Sequence, residues 1–181
     1  MGGSVGSQVL IRRERSTDIE TIRAVIASAF ANPDRLGVAP AEVALVDELR
    51  TSDSWLPALS LVAIEPPEDV IGYVLCTRGY VGKAPALALA PLCVRPDQQR
   101  RGVGQALMHA VLGAADALDE PLVALLGDPG YYTRFGFQLA QDFSIVAPAS
   151  EWKSHFQIRV LTTYAASLSG RFTYPTPFDS L

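Results

Sequence analysis

The residues best suited to chemistry lie in the string Gln99-Arg100-Arg101-Gly102-Val103-Gly104, which follows an apolar run over residues 87–94 and precedes a segment with apolar residues at helical spacing. A strand, a glycine loop and a helix in that order make an anion site. Backbone N–H groups in the loop point at the ligand, and the helix N-terminus adds unsatisfied donors and a partial positive charge. Gly102 and Gly104 carry no Cβ to hold a phosphate off the backbone, and Arg100 and Arg101 add charge. The same spacing also serves as a plain tight turn. A nucleotide P-loop is excluded, because no Gly-x-x-x-x-Gly-Lys-Ser/Thr string occurs. A dinucleotide fingerprint fails at Leu107, where its third glycine belongs.

Positioning such a loop requires a sheet and a helix, and the chain supplies both. The helix expected over residues 103–118 carries Val103, Leu107, Ala110, Val111, Ala114 and Leu118 on one face. Upstream, residues 8–13 read as a strand. Thr17-Asp18-Ile19-Glu20 reads as a capping box opening a helix with Ile19, Ile22, Val25, Ile26 and Phe30 inward. Residues 40–50 form a second helix with Val43, Val46 and Leu49 inward, and residues 59–65 and 70–78 form a hairpin. Pro91 interrupts the strand over residues 87–94; lacking an N–H, it marks an edge or a bulge. Then come a strand over residues 121–126, a Gly127-Asp128-Pro129-Gly130 turn and a short helix over residues 131–135. Strands over residues 137–146, 156–161 and 168–174 should extend the sheet antiparallel. The fold class is α/β with a mixed sheet.

Composition narrows the partners. The 181 residues, 49% hydrophobic and 19% charged, suit one domain over residues 9–181 behind a flexible tail over residues 1–8. A net charge of −4 gives no global field for nucleic acid, so phosphate affinity must be local. The longest apolar stretch, residues 84–94, is short for a membrane span and broken by Pro85 and Pro91. The N-terminal residues lack a signal-peptide pattern. Cys76 and Cys93 sit in apolar strands without metal-ligand spacing, so no metal is expected, and reduced thiols in the cytoplasm are the default.

Gln-x-x-Gly-x-Gly after a strand, followed by Tyr132-Thr133-Arg134-Phe135-Gly136-Phe137, resembles the GNAT superfamily of acyl-CoA-dependent N-acetyltransferases. The strings Gly170-Arg171-Phe172-Thr173-Tyr174-Pro175 and Phe178-Asp179 extend the likeness to a bacterial branch with mostly undefined acceptors. The resemblance implies the GNAT fold, in which a bulge splays two central parallel strands. It implies acetyl-CoA as donor, a small-molecule or peptide amine as acceptor, direct transfer, and compatibility with a homodimer. Leu92, Cys93 and Val94 would pair with the pantetheine arm. Gln99, Arg100, Arg101, Gly102, Val103 and Gly104 would hold the diphosphate, and Tyr132 would act as general acid on the leaving thiolate. The first two helices would frame the acceptor side. One family contact is absent: the Asn often found seven residues before the tyrosine is here Leu125.

Acyl transfer also needs an oxyanion donor, met most simply by a backbone N–H of Leu92 or Val94, and a base for the amine. Glu42, Asp47, Glu48 and Asp128 are candidate bases, and each also reads as a solvated surface charge. His109 falls opposite the apolar stripe and should be exposed, and Cys93 has no base beside it and reads as a small buried residue. His155 has no assignable place. A sensor that holds acyl-CoA without turnover would keep residues 99–104 and need no Tyr132. A generic nucleotide binder would prefer ATP or NAD.

Overall fold

The computed structural model describes residues 8–35 and 37–181; the tail expected over residues 1–8 lies outside them except for Gln8. The chain runs β1 (Leu10–Arg13), α1 (Ile19–Ala29), α2 (Ala41–Arg50), β2 (Ser60–Glu65), β3 (Asp69–Val81), β4 (Ala84–Val94), α3 (Val103–Ala117), β5 (Leu122–Leu126), α4 (Pro129–Tyr132), β6 (Gln138–Leu139), β7 (Ile145–Val146), β8 (Phe156–Val160) and β9 (Gly170–Thr173). The sheet order is β1-β2-β3-β4-β5-β8-β6, with β9 against β3 and β7. Among the described residues no helix is long and apolar enough to cross a membrane.

Helices cover both faces of the sheet because both faces of its central strands are apolar. Ile22, Val25 and Ile26 of α1 and Leu45, Val46 and Leu49 of α2 pack with Val62, Tyr73 and Leu75 on one face. Val103, Leu107, Met108 and Val111 of α3 pack with Leu61, Ile71 and Val74 on the other. Leu107 and Val111 are fully buried, each contributing about 1.5–3 kcal/mol. A polar cluster anchors α2. Arg50 donates to Glu14 at 2.7 Å and to Asp47 at 2.8 Å, and Glu14 accepts from the Ser60 and Tyr73 hydroxyls at 2.5 and 3.1 Å.

The bulge expected at Pro91 is present. β4 pairs antiparallel with β3, but Leu89 faces Cys76 and Leu92 faces Val74, so Ala90 and Pro91 together stand opposite Leu75. On its other side β4 pairs parallel with β5 at only two positions, Leu87 with Val123 and Ala88 with Ala124. Past them β5 continues against β8 as far as Leu126 and Phe156. The extra residue bends β4 away, and the two parallel strands part.

Four expectations need correction. The capping box over residues 17–20 does not form: Asp18 accepts the Arg15 N–H at 2.7 Å and binds Arg12 at 2.6 Å, so a short 3-10 turn precedes α1. The inward face of α3 is Val103, Leu107, Met108, Val111 and Ala115, while Leu118 is 49% exposed as the helix cap. Residues 137–146 do not form one strand, since a 3-10 turn at Ala140–Phe143, closed by Ser144 at φ 59°, separates β6 from β7. β9 does not extend the far edge. It pairs antiparallel with the end of β3 and parallel with β7.

Candidate active site

The loop between β4 and α3 is built for an anion. Arg100 and Gly102 both adopt left-handed backbone, at φ 59° and 81°, a turn sequence that makes a concavity of N–H groups. Gly102 is the N-cap of α3 and gives no side-chain cap. The first helical N–H with a protein acceptor is that of Ala106, which donates to the Gly102 carbonyl at 2.9 Å. The N–H groups of residues 100–105 have no acceptor among the described residues. Donors left open in this way are free to meet water or a ligand.

Of residues 100–105 all but Arg101 line a cavity of about 530 Å³, with Leu92, Cys93, Val94, Gln99 and Tyr132 and with Ala29, Phe30, Gln98, Tyr131 and Arg134. Every expected site residue except Arg101 therefore lines one cavity. The Arg101 guanidinium turns away to Gln98 and to Glu65, 3.2 Å distant. The ladder also distinguishes Leu92, Cys93 and Val94. Arg95 N–H donates to the Ile71 carbonyl at 2.8 Å, and antiparallel alternation then turns the backbone of Cys93 toward β3 and that of Leu92 and Val94 toward the gap. Consistent with this, the Val94 carbonyl accepts the Gln99 side chain at 3.1 Å.

Tyr132 stands where the gap begins. Asp128 caps its short helix by accepting the Gly130 N–H at 2.8 Å. Phe137 holds its ring edge-on at 5.8 Å. Gly127 lets the ring lie across the chain, because a Cβ there would run into it. Its hydroxyl bonds to no other described residue, and burial pushes its pKa up to about 12. The Cys93 thiol, buried in β4, is also pushed up to about 12 by burial. It is inert at neutral pH.

Beyond Tyr132 the gap continues into a second cavity of about 450 Å³. β4 and β5 line it with Leu89, Ala90, Pro91, Leu92, Leu125 and Leu126, and Phe30, Glu42, Leu45, Tyr132, Trp152, Tyr174, Phe178 and Leu181 complete the lining. Of the candidate bases only Glu42 reaches it. Asp47 is held by Arg23 at 2.9 Å and Arg50 at 2.8 Å, Asp128 is spent on its cap, and Glu48 is exposed on α2. His109 is exposed and meets Phe135 edge-on at 5.5 Å. His155 lies just before β8, its Nδ1 2.8 Å from the Ser154 hydroxyl. Sequence reading missed Arg134, which stacks over the Tyr131 ring at 4.8 Å, although its position inside the tyrosine motif was a usable signal. It also missed Trp152, Tyr174 and Phe178 as site residues; Tyr174 and Phe178 fall in strings that carry the family likeness, whereas no local pattern marks Trp152.

A parted parallel strand pair, an uncapped helix N-terminus beside it and a tyrosine at the junction define a GNAT architecture, and the chain belongs to the GNAT acetyltransferase family. The family model described as an acetyltransferase (GNAT) domain matches residues 57–139. The chain is 30% identical over 174 residues to the uncharacterized N-acetyltransferase YhbS of Escherichia coli K12, covering 94% of this chain and 99% of that protein. It superposes on the crystal structure of E. coli YhbS in complex with CoA with a TM-score of 0.88 at 27% identity, covering 99% and 96% of the two chains. A GNAT acetyltransferase from Brucella melitensis in complex with acetyl-CoA matches with a TM-score of 0.76 at 28% identity, covering 96% and 99%.

Proposed function

We propose that this protein transfers an acetyl group from acetyl-CoA directly to a primary amine. The observation that carries the reading is the row of unaccepted N–H groups over residues 100–105, opening on the gap between β4 and β5. A diphosphate fits that row, with Arg100 and Arg134 lining the same cavity. The outward backbone of Leu92 and Val94 can then pair with the amide-bearing arm of the coenzyme. The CoA complex of E. coli YhbS, a relative of the same fold over almost its whole length, supports this choice of donor.

The chemistry follows from what faces the gap. A neutral amine entering from the second cavity attacks the thioester carbonyl carbon, forming the C–N bond. A backbone N–H of Leu92 or Val94 stabilises the oxyanion. As the C–S bond breaks, the nitrogen releases its surplus proton to water and the thiolate takes a proton from the Tyr132 hydroxyl, which water then restores. Burial keeps the Tyr132 phenol protonated well above neutral pH, so the proton is available when the thiolate forms.

The test is amine-dependent release of CoA thiol, with Tyr132→Phe as comparison. Loss of a general acid should lower kcat about 100-fold or more while the acetyl-CoA Kd stays unchanged. Because Tyr132 is protonated below about 12, kcat/KM should rise with pH as the amine loses its proton near pH 10 and show no alkaline fall before about 12. Acetyl-CoA binding with no turnover of any amine would leave the sensor. No binding would end the proposal.

A further inference from the structure

The second cavity has a chemical character of its own, and from it, given the acetyl transfer proposed above, we infer that the acceptor is a small monoamine on an aromatic or bulky apolar body, an aralkylamine. Its lining is aromatic at Phe30, Trp152, Tyr174 and Phe178, and aliphatic along β4 and β5. Tyr174 packs against Phe178 with ring centroids 4.6 Å apart and meets Trp152 edge-on at 6.4 Å. The rings are therefore fixed before any ligand arrives.

Into this apolar enclosure projects one charged side chain. Glu42, in the first turn of α2, is half-buried and makes no hydrogen bond or ion pair with another described residue. Asp47 on the same helix is by contrast neutralised by two arginines. The charge of Glu42 is felt at the Cys93 thiol, on the strand that the two cavities share. A carboxylate left without a cation in an aromatic enclosure calls for a ligand that brings one positive charge and hydrocarbon together.

This character excludes other amines. A polyamine would place its second and third charges against rings and leucines, because Glu42 is the single acidic side chain in the lining among the described residues. An amino sugar would set most of its hydroxyls against leucines and ring faces, with only a few polar atoms such as the Tyr132 hydroxyl to meet them. A volume of about 450 Å³ is at the small end for ligand pockets and suits one ring and a short chain. An ammonium held on Glu42 passes one proton to water, and the neutral amine so formed turns its lone pair toward the junction at Tyr132.

The probe is 2-phenylethylamine, compared with spermidine, glucosamine and a short peptide beginning with Phe, by initial rates of thiol release at saturating acetyl-CoA. The expected result is a kcat/KM for 2-phenylethylamine at least about tenfold above each of the others. Glu42→Gln should raise its KM about tenfold and change kcat little, as expected for a lost charge-assisted bond, with the acetyl-CoA Kd unmoved; Glu42→Asp should restore part of the loss. Equal or better use of spermidine, glucosamine or the peptide would overturn the assignment, as would an unchanged KM in Glu42→Gln or acetyl-CoA binding without turnover of 2-phenylethylamine. Direct binding separates this inference from the donor reading. If 2-phenylethylamine quenches tryptophan fluorescence in the parent but not in Trp152→Phe while acetyl-CoA fails to bind, the donor reading falls and the acceptor pocket stands.

Discussion

The two cavities that meet at Tyr132 are made in opposite ways. The one beside α3 is walled mainly by a single stretch of backbone, residues 92–105, whose φ angles and missing Cβ atoms do the recognising. The other is walled by side chains from α1, α2, β4, β5, the turn before β8 and the segment after β9. A backbone site must be written contiguously, since the chain has to turn in a set order to aim its N–H groups. A side-chain site needs only that some ring arrive from somewhere. The first kind can be shared across a family, while the second can be rebuilt residue by residue for each acceptor.

Substitutions can break or sharpen this contrast. The largest effect is expected from Gly127→Ala, which belongs to neither wall. Its Cβ would displace the Tyr132 ring, and a shift of about 1 Å at a reacting group can cost about 100-fold in kcat. Stopped assays should show that loss with the acetyl-CoA Kd nearly intact. Next, Gly102→Ala has open space for its Cβ, so only the left-handed backbone at φ 81° opposes it. That strain, about 1–2 kcal/mol, should weaken acetyl-CoA about tenfold by calorimetry and leave the amine KM alone. An amine KM that moved equally would mean the two cavities are not separable. Smallest is Arg101→Ala. With its guanidinium tied to Gln98 and Glu65 on the surface, acetyl-CoA affinity should change less than about threefold, against a larger loss in Arg100→Ala.

The same contrast explains what the sequence disclosed. The strands around the bulge, the helix after the glycine loop and the turn before Tyr132 follow from local signals. Pro91 cannot donate, Gly102 takes a positive φ, and Asp128 caps α4. The errors arose where a local turn signal went unread or where tertiary contacts decide. The alternating pattern over residues 137–146 suits a strand, but Asp142 and Ser144 bring turn chemistry, and Ser144 takes left-handed backbone. β9 reads as a strand, yet nothing in it names β3 and β7 as its partners. On the acceptor side, Glu42 was visible as a carboxylate on the second helix. That it is the one facing rings rather than arginines depends on Trp152, Tyr174 and Phe178 folding back over it.

The central claim is that the backbone N–H groups of residues 100–105 hold the diphosphate of the coenzyme. Amide proton–nitrogen spectra recorded during titration with acetyl-CoA, followed by hydrogen exchange on the saturated protein, test it directly. The account requires those six amides to shift together and to exchange more slowly once acetyl-CoA is bound. Saturation with acetyl-CoA that left them unshifted and unprotected would contradict it.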